Sequence, residues 1–298
     1  MSIILVDFGS QYTRLLFHKL TFNLSIETIL VDHENFSNFT KELLETEYKD
    51  LKAIILSGGP DSVNKENSPS VDFSILNNYH ILGICYGGQL IAKEYGCTLN
   101  NLDKSEFGLS KLMINNNVYN FSINNSQEIC LKYLNLVSKI PREFNVWMSH
   151  NDYIDNLSDD LFLVAVSNNN TPAIWKVKNS NKEIIGIQYH LEVSDTEYGM
   201  ELLKNFINLC GIEFNMRNNS LFDNINLNIK QIVNNEHVIC ALSGGVDSST
   251  LAFLLANNIN ERLHAIIIDN GLMRKDEIIN IVENYEGTIL EDKIVICN

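Results

Sequence analysis

The sequence predicts an α/β protein: an open, mostly parallel, doubly wound sheet with an added antiparallel portion, followed by a second α/β unit. Three observations predict it. Short apolar runs recur and end in Gly, Asp or Ser, and the early ones alternate with segments of helical character. Between Cys97 and Gln188 the runs shorten and are separated by Asn-rich turns, the texture of antiparallel pairing. A polar, weakly patterned stretch at 211–219 then precedes a fresh strand–loop–helix–strand.

In order, the first strands are expected at residues 3–6, 26–31, 53–56 and 80–84, with helices at 12–20 and 40–48. The antiparallel portion is expected to include strands at 111–114, 118–123, 161–166 and 173–177, and an apolar strand at 184–189 follows. Tyr198, Leu202, Leu203, Phe206 and Leu209 have helical spacing, so a helix over 195–209 closes the first domain, 1–210. The linker is 211–219, and the second domain runs over 220–298 with a strand at 237–242, a helix at 250–257 and a strand at 263–269. In open parallel sheets, ligands sit at the carboxyl ends of the strands.

Composition narrows the function. At 298 residues and 45% hydrophobic, the chain has material for two cored domains, which excludes wholesale disorder. Acidic residues outnumber basic ones 37 to 22, for a net charge of −15, so neither nucleic acid nor an anionic membrane is an expected partner. A local loop of backbone N–H groups can still hold a phosphate. The cysteines at 85, 97, 130, 210, 240 and 297 form no CxxC pair, which argues against a disulfide framework or zinc site and suits the reducing cytosol. The apolar start ends early in Asp7, unlike a signal peptide, and no apolar stretch approaches the roughly 20 residues needed to span a bilayer. A cytoplasmic location is expected.

The central signal is Ile81-Leu82-Gly83-Ile84-Cys85-Tyr86-Gly87-Gly88-Gln89. A strand running into a nucleophile flanked by glycines, then into a helix, is the logic of the nucleophile elbow. The helix N-terminus favours the thiolate. A lone cysteine at a strand end is more often a buried structural thiol, and the glycine frame is what reverses that reading. The run 184–189 delivers His190-Leu191-Glu192. Residues two apart in an extended segment share a face, so Glu192 can orient His190 while His190 exchanges protons with sulfur. Ser57-Gly58-Gly59-Pro60 ends another strand, and its N–H groups, with that of Tyr86, could bind an oxyanion.

Together these segments resemble the glutaminase domain of class I amidotransferases. The motifs Asp7-Phe8-Gly9-Ser10-Gln11-Tyr12-Thr13, Glu106-Phe107-Gly108 and Trp147-Met148-Ser149-His150 narrow the resemblance to the GMP synthase family, in matching order along nearly the whole chain. The resemblance implies Cys85 as nucleophile, His190 and Glu192 completing a triad, and Gly59 with Tyr86 as the oxyanion hole. It implies Gln89, Ser149, His150 and Asp152 as glutamine-binding residues, with no metal or organic cofactor in this domain. Leu191 departs from the family's usual proline, which would stiffen the bend, so slightly looser placement of His190 is expected. Gly88 also departs, as a helix-weakening residue early in the elbow helix.

In the second unit, Ser243-Gly244-Gly245-Val246-Asp247-Ser248-Ser249 follows a strand and opens a helix. Consecutive N–H groups there can cradle pyrophosphate, and the lysine of a Walker A loop is missing. The string resembles the loop of N-type ATP pyrophosphatases, so Ser243, Gly244, Gly245, Val246, Asp247, Ser248 and Ser249 are expected to bind ATP, with Asp247 a candidate Mg²⁺ ligand. The resemblance implies ATP and Mg²⁺ as co-substrates, adenylation of XMP, and displacement of AMP by ammonia. Family members continue through the rest of this Rossmann-like domain and a C-terminal homodimerisation domain that contacts XMP. This chain reaches only Asn298, so the expectation is a partial domain that makes no GMP alone. Two alternatives stay open: a free-standing glutaminase that supplies another chain, and a non-enzymatic glutamine- or nucleotide-binding remnant.

Overall fold

The computed structural model describes residues 1–101, 105–115, 135–214, 221–269, 271 and 274–297. The strand expected at 118–123 lies outside them. Two compact units divide the chain, Met1–Arg217 and Asn218–Asn298.

The first unit runs β1 (Ser2–Asp7), α1 (Thr13–His18), β2 (Glu27–Asp32), α2 (His33–Phe36), α3 (Lys41–Glu47), β3 (Leu51–Leu56), α4 (Phe73–Leu76), β4 (His80–Ile84) and α5 (Tyr86–Glu94). It continues through β5 (Thr98–Asn100), β6 (Glu106–Ile114), β7 (Glu143–His150), β8 (Tyr153–Asn156), β9 (Leu161–Ser167), β10 (Pro172–Val177), β11 (Ile184–Ile187) and α6 (Gly199–Leu209). Side-chain caps start the short helices: Asp32 accepts from Asn35 N at 2.8 Å, and Thr40 from Leu43 N at 3.1 Å.

Among the described residues the main sheet is nine-stranded, in the order β2-β1-β3-β4-β11-β10-β9-β6-β7. Strands β2, β1, β3, β4 and β11 are parallel, and β10, β9, β6 and β7 extend the same sheet antiparallel. Both faces of the parallel part are covered. On β1, Ile3 and Leu5 point into one core while Ile4 and Val6 point into the other, all fully buried. This is why the early strands read as unbroken apolar runs.

Several element boundaries differ from expectation, among them the strand expected at 111–114, which begins at Glu106. The helix expected at 12–20 is α1 followed by a π-helical turn at Lys19–Asn23. The strand expected at 184–189 ends at Ile187. The helix expected at 195–209 starts only at Gly199, after a left-handed Tyr198 (φ 56°). Residues 191–198 form turns instead, and Gly199 presses so closely on the Leu191 carbonyl that a side chain there would collide with it. Ile212, expected in the linker, is buried in the first unit's core.

The second unit contains α7 (Leu221–Val233), β12 (Val238–Ala241), α8 (Val246–Ile259), β13 (Leu263–Ile268), α9 (Glu277–Glu283) and β14 (Ile294–Cys297). Its strands form a parallel β12-β13-β14 sheet. Ala252, Leu255, Ala256 and Ile259 of α8 share its core with Cys240, Ala265 and Ile267. Among the described residues no helix is long and apolar enough to cross a membrane.

Candidate active site

The carboxyl end of β4 delivers Cys85 at φ 49°, ψ −106°, a conformation that costs a non-glycine residue on the order of 1–3 kcal/mol. Its neighbours hold it there. Cys85 N donates to Ile187 O at 2.7 Å, Gly87 N to Ser57 O at 3.0 Å and Gln89 N to Cys85 O at 2.9 Å. Such a turn admits no side chains beside it: a Cβ on Gly83 would strike the Gly87 carbonyl, and one on Gly88 would lie 2.7 Å from Ile187 O. Gly88 is thus a close-contact residue between α5 and β11, which accounts for a glycine so early in the helix.

His190 sits three residues beyond β11, just before the turns of residues 191–198. Its backbone is held on both sides, His190 N donating to Trp147 O at 3.0 Å and Thr196 Oγ1 to His190 O at 2.6 Å. The Leu191 side chain is fully buried in the core, so it anchors the turn that proline would have stiffened. Glu192 Oε1 lies 2.8 Å from His190 Nδ1. A carboxylate accepts, so Nδ1 carries the proton and Nε2 is left for Cys85. Burial pulls the His190 pKa down, but hydrogen bonds to Cys85 and Glu192 and their negative charges prevail and raise it from 6.5 to about 10.

Gly59 follows β3, in a turn fixed by Ser57 Oγ, which accepts from Phe8 N at 3.0 Å and donates to Gly58 O at 2.8 Å. A Cβ on Gly59 would lie 2.9 Å from Phe8 O and 3.3 Å from Tyr86 Cγ, so only bare backbone fits beside the elbow.

Cys85 opens onto a cavity of about 410 Å³ whose walls include Gly59, Lys65, Gln89, Ser149 and Asp152. Asp152 is 4% exposed, and neither of its carboxylate oxygens has a hydrogen-bond partner. An unpartnered buried carboxylate of this kind is costly. Gln89 Nε2 donates to Asp152 O at 2.8 Å, and His150 Nδ1 lies 3.0 Å from the same carbonyl. His150 Nε2 lies 3.3 Å from Glu106 Oε2, within ion-pair distance but without hydrogen-bond geometry, and the ring forms part of the cavity wall. Burial works to raise the Glu106 pKa, but interactions with His150, Ser167 and Thr171 and the His150 charge leave it below the usual value.

A second cavity of about 320 Å³ lies against His190, walled by Ser10, Gln11, Tyr12 and Phe107. It shares Gly59, Pro60, Ser149, His150 and Asn151 with the first.

The structure therefore gathers Cys85, His190, Glu192, Gly59, Tyr86, Gln89, Ser149, His150 and Asp152 around one groove. Sequence reasoning missed Gln188, whose Nε2 lies 3.9 Å from Cys85 Sγ and whose Oε1 lies 3.4 Å from Gln89 Nε2. Its one signal is a polar residue, fully buried, directly after the apolar strand β11.

In the second unit residues 243–245 and the first turn of α8 close on one another. Ser243 N donates to Ser248 Oγ at 3.2 Å, Gly245 N to Ser243 Oγ at 3.4 Å and Ser249 Oγ to Gly245 O at 2.7 Å. Gly244 has φ 75°, and Asp247 lies in the first turn of α8. Residues 243–247 are exposed at that helix N-terminus, a geometry that suits a phosphate. Among the described residues no group of three or more His, Cys, Asp or Glu converges to hold a metal.

Comparison with known proteins adds a family. Residues 4–209 match the model of glutamine amidotransferase class-I. The GMP synthase [glutamine-hydrolyzing] of Fusobacterium nucleatum is 37% identical over 287 residues, covering 95% of this chain and 51% of that protein. That of Petrotoga mobilis is 35% identical over 288 residues, covering 96% and 50%. The chain thus spans about half the length of these curated relatives. Among solved structures, a Thermoplasma acidophilum protein assigned as one GMP synthase subunit superposes with TM-score 0.55 at 28% identity, over 71% of this chain and 94% of that one.

Proposed function

The chain belongs to the class I glutamine amidotransferase family, and on that footing we propose that it hydrolyses glutamine at Cys85 and feeds the ammonia to ATP-dependent amination of XMP to GMP. The observation that carries the glutaminase half is the unpartnered Asp152 carboxylate in the Cys85 cavity. The α-ammonium of glutamine would supply a partner for it. Anchored there, the substrate places its amide carbon at the sulfur.

The Cys85 thiolate attacks that carbon, with His190 as its imidazolium partner and Glu192 holding the ring. Oxyanion charge falls to the Gly59 and Tyr86 amides, aided by the N-terminus of α5. His190 protonates the departing nitrogen, and water then hydrolyses the thioester. In the second unit, the segment Ser243, Gly244, Gly245, Val246, Asp247, Ser248 and Ser249 at the N-terminus of α8 would hold the ATP phosphates, with Asp247 beside Mg²⁺. The similarity to glutamine-hydrolysing GMP synthases supports XMP as acceptor.

A second reading is a glutaminase that serves another chain. It is favoured by the Thermoplasma protein, itself one subunit, which is matched over nearly its whole length. Glutamate release by wild type, lost in Cys85→Ala, tests the shared half. AMP release dependent on XMP, ATP, Mg²⁺ and free ammonia tests the amination half, and its absence beside intact glutamate release favours the second reading. No Cys85-dependent glutamate leaves a binding remnant.

A further inference from the structure

Behind the groove lies a buried carboxylate with more partners than strand pairing requires. Glu106 opens β6 and lines neither cavity. In the β6–β7 register it sits directly opposite His150, and opposed residues on antiparallel strands share a face. Both side chains are buried. Asn169 Nδ2 donates to Glu106 Oε1 at 2.9 Å, Thr171 Oγ1 donates to Oε2 at 2.9 Å, and Ser110 Oγ stands 3.5 Å from Oε1. Ser167 Oγ braces Thr171 Oγ1 at 2.8 Å. A buried carboxylate that accepts this many hydrogen bonds is both fixed and kept ionised. Its remaining neighbour is His150 Nε2.

We infer that Glu106 is a positioning residue for glutamine: it fixes the His150 ring and, through that ring, the segment that carries Asp152. The inference rests on the glutaminase reading and deepens it. His150 Nδ1 lies 3.0 Å from Asp152 O, and a carbonyl only accepts, so Nδ1 donates. The same carbonyl accepts from Gln89 Nε2 at 2.8 Å, and Gln89 N donates to Cys85 O at 2.9 Å. Contacts therefore run without a break from Glu106 on β6, through His150 at the end of β7 and the Asp152 carbonyl, to the elbow helix. They set where the unpartnered Asp152 carboxylate stands relative to the sulfur.

The second torsion of a histidine side chain has a broad minimum, so a ring held at one nitrogen can rock. Here Nδ1 is held by a hydrogen bond and Nε2 by attraction to a carboxylate that cannot move away. Removing the Glu106 charge frees the far side of the ring and loosens the Asp152 segment. It leaves the triad in place, because His190 and its turn are anchored by Trp147 O, Thr196 Oγ1 and the buried Leu191. The consequence is a defect in holding substrate rather than in chemistry.

Glu106→Gln keeps the shape of the side chain and removes its charge. KM for glutamine is expected to rise about tenfold or more, with kcat within about threefold of wild type. Iodoacetamide labelling of Cys85 needs only the elbow thiol and should keep its rate. Labelling by a chloroketone analogue of glutamine needs the Asp152 end of the cavity and should slow in step with KM. A Glu106 that merely ties β6 to its neighbours would instead lower melting temperature, kcat and both labelling rates together with KM unmoved. That pattern, or a folded variant with wild-type KM, overturns the inference and leaves the glutaminase intact. His150→Asn is the second arm, because its amide can stand in for Nδ1 but cannot reach Glu106. It is expected to raise KM similarly, and adding Glu106→Gln to it should change KM by no more than about twofold. Additive effects would mean that Glu106 acts apart from His150, and would overturn the inference. Should Glu106→Gln fail to fold, His150→Asn decides alone, a wild-type KM being the contrary result. A wild-type chain that releases no Cys85-dependent glutamate removes the glutaminase reading itself.

Discussion

His190 Nδ1 meets Glu192 Oε1 at 2.8 Å across a turn. The two residues stand beyond the end of β11, and the contact depends on the Trp147, Thr196 and Leu191 anchors rather than on strand alternation. Glu192→Gln keeps the shape but allows the wrong tautomer, because an amide can donate to Nδ1. A fall in kcat of about two to four orders of magnitude is expected, with KM for glutamine little changed. Steady-state glutamate release checks it, and a variant of wild-type rate would contradict the orienting role.

The raised His190 pKa couples protonation to stability. The group titrates at 6.5 in the reference state and at about 10 in the fold, so the folded chain binds the proton more tightly. Its stabilisation is complete below about pH 6.5, declines as the pH rises towards 10, and is gone above that. Urea unfolding of wild type and His190→Asn across this window should show the difference between them shrinking with rising pH. A constant or growing difference contradicts the assigned proton.

Asp152→Asn removes a charge that has no partner in the protein. Losing the anchor for the substrate ammonium is expected to raise KM by roughly two orders of magnitude. The ligand-free chain should be no less stable, since an unpaired buried carboxylate is costly. Iodoacetamide labelling of Cys85 should be unaltered. Kinetics and thermal unfolding together check both parts, and an unchanged KM refutes the assignment.

Gly88→Ala separates helix propensity from packing. Propensity alone favours alanine by about 1 kcal/mol. The contact of 2.7 Å that its Cβ would make with Ile187 O predicts net destabilisation of about 1–3 kcal/mol, with Cys85 displaced because Cys85 N donates to that same oxygen. Denaturant unfolding decides between them.

The parallel core was legible because β1, β3 and β4 are buried on both faces and so appear as unbroken apolar runs. The elbow was legible because steric demand forces glycine at Gly83, Gly87 and Gly88, and a run of glycines is visible in one dimension. The start of α6 was not, since the register of residues 191–198 is set by Thr196 and Gly199 packing on the His190 turn, a contact without local signature. Gln188, the partners of Glu106 and the unpartnered state of the Asp152 carboxylate were equally hidden. Their meaning lies in which chain segments β7, β8 and β11 bring beside α5, and spacing along the sequence carries no trace of that.

The covalent intermediate tests the central claim most directly. Acid quench within the first turnover, followed by mass spectrometry of the peptide bearing Cys85, should reveal a γ-glutamyl thioester on that sulfur, absent from Cys85→Ala. Glutamate formed at the wild-type rate without any adduct on Cys85, or an adduct on another residue, would contradict the account.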